Sequence, residues 1–116
     1  MVDNCIFCKI AKGEIPSRKV YEDNDVLAFH DIHPQAAVHF LLIPKEHVSS
    51  MAELTDSHQL VMGKIMTLAA ALAKEQGCDD GFRTIVNTGN HGRQEVPHLH
   101  MHVVGGELLP GMLVRR

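Results

Sequence analysis

The chain has 116 residues, a formal net charge of −3 and 45% apolar residues, which argues for one domain, residues 1–116, with a modest core. Only 4% of residues are aromatic, there is no Trp, and neither a basic cluster nor a membrane-length apolar run occurs, so a nucleic-acid-binding face and a membrane span are not expected. Three cysteines, an odd number with two of them in Cys5-x-x-Cys8, do not read as a disulfide framework. The first residues carry no apolar stretch of signal-peptide type, and we expect a cytoplasmic protein.

Asp3 or Asn4 is expected to cap a short helix over residues 5–12, stopped by Gly13 and Pro16. Ile6, Phe7 and Ile10 share one face of it, and Cys5 and Cys8, three apart, can turn both sulfurs to one side. Lys19-Val20-Tyr21-Glu22 and Val26-Leu27-Ala28-Phe29 read as two strands joined by the turn residues Asp23-Asn24-Asp25. Residues 33–37 form a loop, and 39–43 a third strand apolar enough to be central. A long helix opens at Leu54-Thr55-Asp56-Ser57, with Asp56 and Gln59 placed as a capping box. Val61, Ile65, Leu68 and Leu72 are its buried stripe, Ala69, Ala70, Ala71 and Ala73 permit close approach, and Gly77 ends it. Residues 82–87 are a fourth strand. The glycine-bearing loop after it can aim backbone N–H groups at an anion, but lacks the Gly-Lys-Ser/Thr of a P-loop. A tail, 108–116, shows no periodicity. Five antiparallel-reading strands with one short and one long helix give an α+β fold, with the helices expected on one side of the sheet.

The densest signal is His98-Leu99-His100-Met101-His102. Histidine and apolar residue alternate, as they do on a strand whose successive side chains face opposite ways. On a helix, at roughly 100° per residue, His100 would point away from the face shared by His98 and His102. The strand reading puts His98, His100 and His102 on one face and Leu99, Met101 and Val103 on the core. Two chemistries suit such a row. His-x-His can present two ligands to one metal ion. Alternatively, one imidazole attacks a phosphorus while its neighbours donate to the phosphate oxygens.

His-x-His-x-His followed by apolar residues resembles the motif of the histidine triad (HIT) superfamily. Phe29-His30-Asp31-Ile32, Pro34-Gln35-Ala36 and His39-Phe40-Leu41-Leu42-Ile43-Pro44-Lys45 resemble its first conserved block. Val86-Asn87 and Gly92-Arg93-Gln94-Glu95-Val96 resemble the stretch leading into the triad. Order and spacing agree over nearly the whole chain, most closely with the purine nucleoside phosphoramidase branch in its bacterial style.

The resemblance implies a HIT-like homodimeric hydrolase that cleaves the P–N bond of purine nucleoside 5′-phosphoramidates. In that reading His100, central in the row, is the nucleophile, His102 and His39 donate to phosphate oxygens, and His98 serves orientation. Asp31 is implied to hold the ribose, and Phe7, Phe29, Ile32 and Leu41 the base, although core packing explains those four equally well on sequence alone. Asn87 and Gln94, with Val96 beside them, complete the nucleotide site. Zinc-binding relatives imply a structural zinc on Cys5, Cys8, His47 and His98, against the alternative of two buried thiols acting as small hydrophobes. Catalysis itself is expected to need no cofactor. Competing readings are a dinucleoside polyphosphate hydrolase, a metal-dependent hydrolase with its ion on the triad, and a non-catalytic nucleotide-binding scaffold. The chain departs from its relatives at His33, Pro97 and Arg93, and its tail lacks the Trp that related proteins often carry.

Overall fold

The computed structural model describes residues 4–112. Strands β1 (Lys19–Glu22), β2 (Val26–His30), β3 (Val38–Pro44), β4 (Phe82–Ile85) and β5 (Met101–Gly105) form one sheet in the order β1-β2-β3-β5-β4. Every neighbouring pair is antiparallel. The β1–β2 hairpin closes through Asp23, whose Oδ1 accepts the N–H groups of Asp25 and Val26, each at 2.8 Å. That local bond is why Asp favours such turns. β3 is central and buried from His39 onward.

Consecutive apolar residues on β2 and β3 require cover on both faces of the sheet. The structure supplies it with one helix on each face. Val26, Ala28, Phe40, Leu42, Met101 and Val103 pack against Ile65, Ala69, Leu72 and Ala73 of α2 (Gln59–Glu75). Their chain neighbours Leu27, Phe29, Leu41 and Ile43 pack against Phe7, Cys8 and Ile10 of α1 (Ile6–Ala11), with Cys5. The helices therefore lie on opposite faces, which corrects the one-sided arrangement read from the sequence.

The helix ends also differ from expectation. Cys5 is the N-cap of α1, its sulfur accepting the Cys8 N–H at 3.4 Å. Asn4 is exposed, and Asp3 lies outside the described residues. The Asp56–Gln59 box is not formed. Residues 56–58 make a 3-10 turn capped from Thr55, whose N–H donates to His58 Nδ1 at 2.9 Å, and α2 begins only at Gln59. A histidine ring nitrogen thus fills the role that Glu or Gln fills in the usual box. Ile65 and Leu72 carry the stripe with Ala69 and Ala73, while Val61 and Leu68 flank it, half-buried. Lys64 ties α2 to the hairpin through Asp23 and Asp25 at 3.0 and 3.1 Å. Gly77, at φ 97, turns the chain away where a side chain would be strained. Among the described residues no helix is long and apolar enough to cross a membrane.

Candidate active site

The three histidines of the row keep their alternation, but only His102 lies within β5. The strand begins at Met101, and the Leu99 N–H donates to the Val48 carbonyl at 2.7 Å rather than to a sheet neighbour. His98 and His100 therefore sit on the extended approach to the strand. All three rings turn to the face that carries α1. Phe7 meets His98 and His100 edge-on, with ring centres 5.9 and 5.1 Å apart, and His100 and His102 are 5.1 Å apart.

Hydrogen-bond partners fix which nitrogen of each ring carries the proton. His100 Nδ1 lies 2.7 Å from the His98 carbonyl, which can only accept. The Nδ1 of His100 therefore carries a proton, and in the neutral ring the lone pair lies on Nε2. The Gln35 N–H donates to His39 Nδ1 at 3.0 Å, so the neutral His39 ring is protonated at Nε2. That Nε2 lies 2.9 Å from His102 Nδ1 and 3.4 Å from Asp31 Oδ2. His102 accepts at Nδ1, and its remaining proton sits on Nε2. Burial is the main reason the His102 imidazole is pushed down to about 4, with His100 and His39 adding to it and Asp31 opposing. Burial lowers His39 as well, again against Asp31. Both rings are neutral donors at neutral pH.

His98 is wholly buried and has a different role. Its Nε2 donates to the Pro44 carbonyl at 2.8 Å, which leaves Nδ1 as an acceptor. Nδ1 faces Cys5 Sγ at 3.4 Å, Cys8 Sγ at 3.5 Å and His47 Nδ1 at 3.2 Å, and Cys8 Sγ lies 3.3 Å from His47 Nδ1. The four donor atoms all fall within 4.8 Å of one another. A tetrahedral zinc, bound at about 2.3 Å by sulfur and about 2.0 Å by nitrogen, sets donor separations of roughly 3.3–3.8 Å. Donor type, spacing and the hydrogen-bonded far side of His98 all fit such an ion. Four protein ligands leave no position for a water, so an ion there would be structural. Asp31, His39 and His102 also converge. There, however, the Gln35 N–H occupies His39 Nδ1 and forces the proton onto Nε2, the nitrogen a metal would need. Gln35, His39 and His102 form a proton-ordered chain, with the Asp31 carboxylate beside it.

A cleft of about 420 Å³ opens over these rings, lined in part by Phe7, Asp31, His39, Leu41, Asn87, Val96, His100 and His102. Those eight are sequence-predicted site residues. Phe29 lies beneath the cleft, its ring edge-on to Phe7 at 5.5 Å. Ile32 is 86% exposed and lies outside the lining. Gln94 is also outside the lining, and its amide is committed elsewhere. Its Oε1 accepts the Gly89 N–H at 3.1 Å, and its Nε2 donates to the Ser49 and Val96 carbonyls at 2.7 and 2.9 Å. Gln94 thus holds the loop together rather than facing a phosphate. His33, Gln35, Arg93 and Glu95 complete the wall. Sequence reading placed His33 at the rim of the pocket and Arg93 at its mouth as a cation suited to polyphosphate ligands, and gave Gln35 and Glu95 no site role. His33 and Arg93 were visible as departures, whereas Gln35 acts through its backbone and Glu95 left no pattern to read.

The fold and site can be set beside known proteins. A family model described as scavenger mRNA decapping enzyme C-term binding matches residues 4–113. Protein HitA of Neisseria gonorrhoeae is 52% identical over 104 residues, covering 90% of this chain and 97% of that protein. A purine nucleoside phosphoramidase of Escherichia coli K12 is 44% identical over 117 residues, covering 100% of this chain and 98% of that protein. A histidine triad protein from Clostridium difficile superposes with a TM-score of 0.92 at 47% identity, over 97% of this chain and 99% of that one. The chain belongs to the histidine triad (HIT) family.

Proposed function

We propose that this protein hydrolyses purine nucleoside 5′-phosphoramidates through a nucleotidyl-His100 intermediate. The 2.7 Å bond from His100 Nδ1 to the His98 carbonyl carries this reading, because it leaves Nε2 as a free nucleophile in the cleft. The phosphoramidase named among the relatives supports the substrate class. The nucleoside lies over Phe7, Leu41 and Val96 with its ribose at Asp31. His100 Nε2 attacks the α-phosphorus, the P–N bond breaks, and the amine departs with a proton. Water then cleaves the N–P bond, releasing the nucleoside monophosphate and restoring His100. His102, through Nε2–H, donates to a non-bridging oxygen, where charge gathers in both transition states. Asn87 supplies a second polar contact to the phosphate. His39 acts through His102, and His98 belongs to the Cys5, Cys8, His47 cluster, where a zinc would brace α1 against the approach to β5.

We further propose a cytoplasmic homodimer acting on small nucleotides. The edge positions of β1 and β4 in the sheet support the dimer. The test of function is turnover of adenosine 5′-phosphoramidate by wild type and His100→Ala, with and without chelator. Loss of at least a hundredfold in the variant, and persistence in chelator, are expected. A variant keeping more than about a tenth of the rate, a deficit of only ~1.4 kcal/mol, overturns the nucleophile assignment. AMP binding without wild-type turnover would favour the scaffold reading. A dinucleoside polyphosphate is the second substrate reading, favoured by Arg93 in the cleft wall.

A further inference from the structure

Arg93 is the only non-glycine residue with positive φ, at 60°, among the described residues. Such a conformation favours glycine. The surrounding loop leaves the chain no choice. The Arg93 N–H donates to the Asn90 carbonyl at 3.0 Å, and the Gln94 N–H to the Gly89 carbonyl at 3.1 Å. Gln94 clamps the same loop with its side chain. A Cβ at Gly92 would collide with the Thr88 carbonyl, so the turn cannot relax there. An arginine held in a glycine conformation at the wall of a cleft points to use of the guanidinium.

Its surroundings narrow that use. Arg93 is the only Lys or Arg lining the cleft. Among the described residues no carboxylate lies within ion-pair distance of it, although Glu95 lines the same wall. Asp31 follows β2, and His39 and Leu41 lie on β3. His102 lies on β5, with His100 just before it, and Asn87 and Arg93 lie on the β4-to-β5 connection. Asp31, Arg93, His100 and His102 thus line one cleft. With the ribose at Asp31 and the phosphorus over His100, the leaving group shares that cleft with the Arg93 cation.

We propose that Arg93 is a specificity residue that selects leaving groups carrying their own negative charge, a carboxylate or a phosphate. This rests on the histidine-triad reading above, which sets the nucleoside's direction. The test uses adenosine 5′-phosphoramidate joined to the amino group of glycine, with a free carboxylate or as its methyl ester. ADP and AMP, compared as competitive inhibitors, read the phosphate source. In wild type, kcat/KM should favour the carboxylate over the ester by about fivefold, carried in KM and shrinking with added salt, as a partly exposed charge pair does. Arg93→Gln should abolish that ratio, Arg93→Lys should restore part of it, and Arg93→Glu should invert it. A response confined to the glycine pair assigns the anion as a carboxylate, and one confined to ADP over AMP assigns it as a phosphate. Ratios that are the same in wild type and Arg93→Gln for both pairs overturn the proposal. Calorimetric binding of the two glycine compounds to His100→Ala protein, with and without Arg93→Gln, reads the same preference without turnover. Failure of the phosphoramidase reading is therefore distinguishable from failure of this one.

Discussion

His39 Nε2 lies 2.9 Å from His102 Nδ1, and the proton between them belongs to His39 because the Gln35 backbone already donates to the ring's other nitrogen. A main-chain N–H on the loop before β3 thereby decides the tautomer of a ring on β5. The sequence reading gave His39 a direct phosphate contact. In the structure the His39 Nε2 proton is directed at His102, and in the proposed mechanism His39 orients that ring. His39→Phe removes both bonds at similar volume. We expect kcat to fall roughly 10- to 100-fold, the range of an orienting partner, with AMP affinity changed far less. Two-bond nitrogen–proton spectra of the imidazoles provide the second readout. They should show one His102 tautomer, protonated at Nε2, in wild type and a mixture in the variant. A single unchanged tautomer would sink the relay.

The same burial that keeps His102 neutral makes the fold sensitive to acid. Its folded value, about 4, lies below the ordinary 6.5, so as pH falls the unfolded chain takes up the proton first. Stability is full above the ordinary value and drains away as pH drops to about 4. His39, also lowered, acts in the same direction. The groups facing His102 are His100, His39 and Asp31, of which only Asp31 opposes the shift. For His102 the loss is on the order of 3 kcal/mol before solvent screening reduces it. Thermal melts between pH 7 and pH 4 should fall steeply in wild type and less so in His102→Gln. Parallel curves would contradict the assignment.

The Cys5, Cys8, His47, His98 cluster predicts about one zinc per chain in purified protein, measured by plasma mass spectrometry. Cys8→Ser should lower zinc content severalfold and, like chelator on wild type, reduce the melting temperature. Chelator should have little further effect on the variant. Metal-free wild type that neither binds added zinc nor melts differently with it would leave the cluster as a packing feature.

On the opposite face, Ile65 is fully buried between α2 and the sheet. Ile65→Ala should cost about 2–4 kcal/mol in denaturant unfolding through the cavity it leaves. Activity per folded molecule should stay within about twofold, because none of the residues lining the cleft belongs to that core cluster. A large loss of kcat at unchanged folded fraction would show that the two faces are coupled.

The five strands and two helices were legible because each carries a local signal: alternation on the histidine row, turn carboxylates in the β1–β2 hairpin, three-four spacing along α2. What escaped the sequence depends on partners far along the chain. Nothing near Gln94 announces that its amide will bond the Ser49 carbonyl, 45 residues away. The early end of the β5 ladder is set by Val48. Cys5 as a helix cap falls outside the usual polar caps, and a thiol reads as apolar until its contacts are known. Eight of the residues expected at the nucleotide site do line one cleft, because the motif's fixed spacing on adjacent strands carries them there.

Along β3 the side chains answer to two masters in strict turn. Phe40 and Leu42 look into the α2 core, whereas His39 and Leu41 look into the cleft. Neighbours in sequence are therefore under unrelated selection. A saturation library over this strand, sorted once for folded protein and once for turnover, should split with a period of two. Phe40 and Leu42 would record only how well the molecule holds together, whereas His39 and Leu41 would record recognition as well.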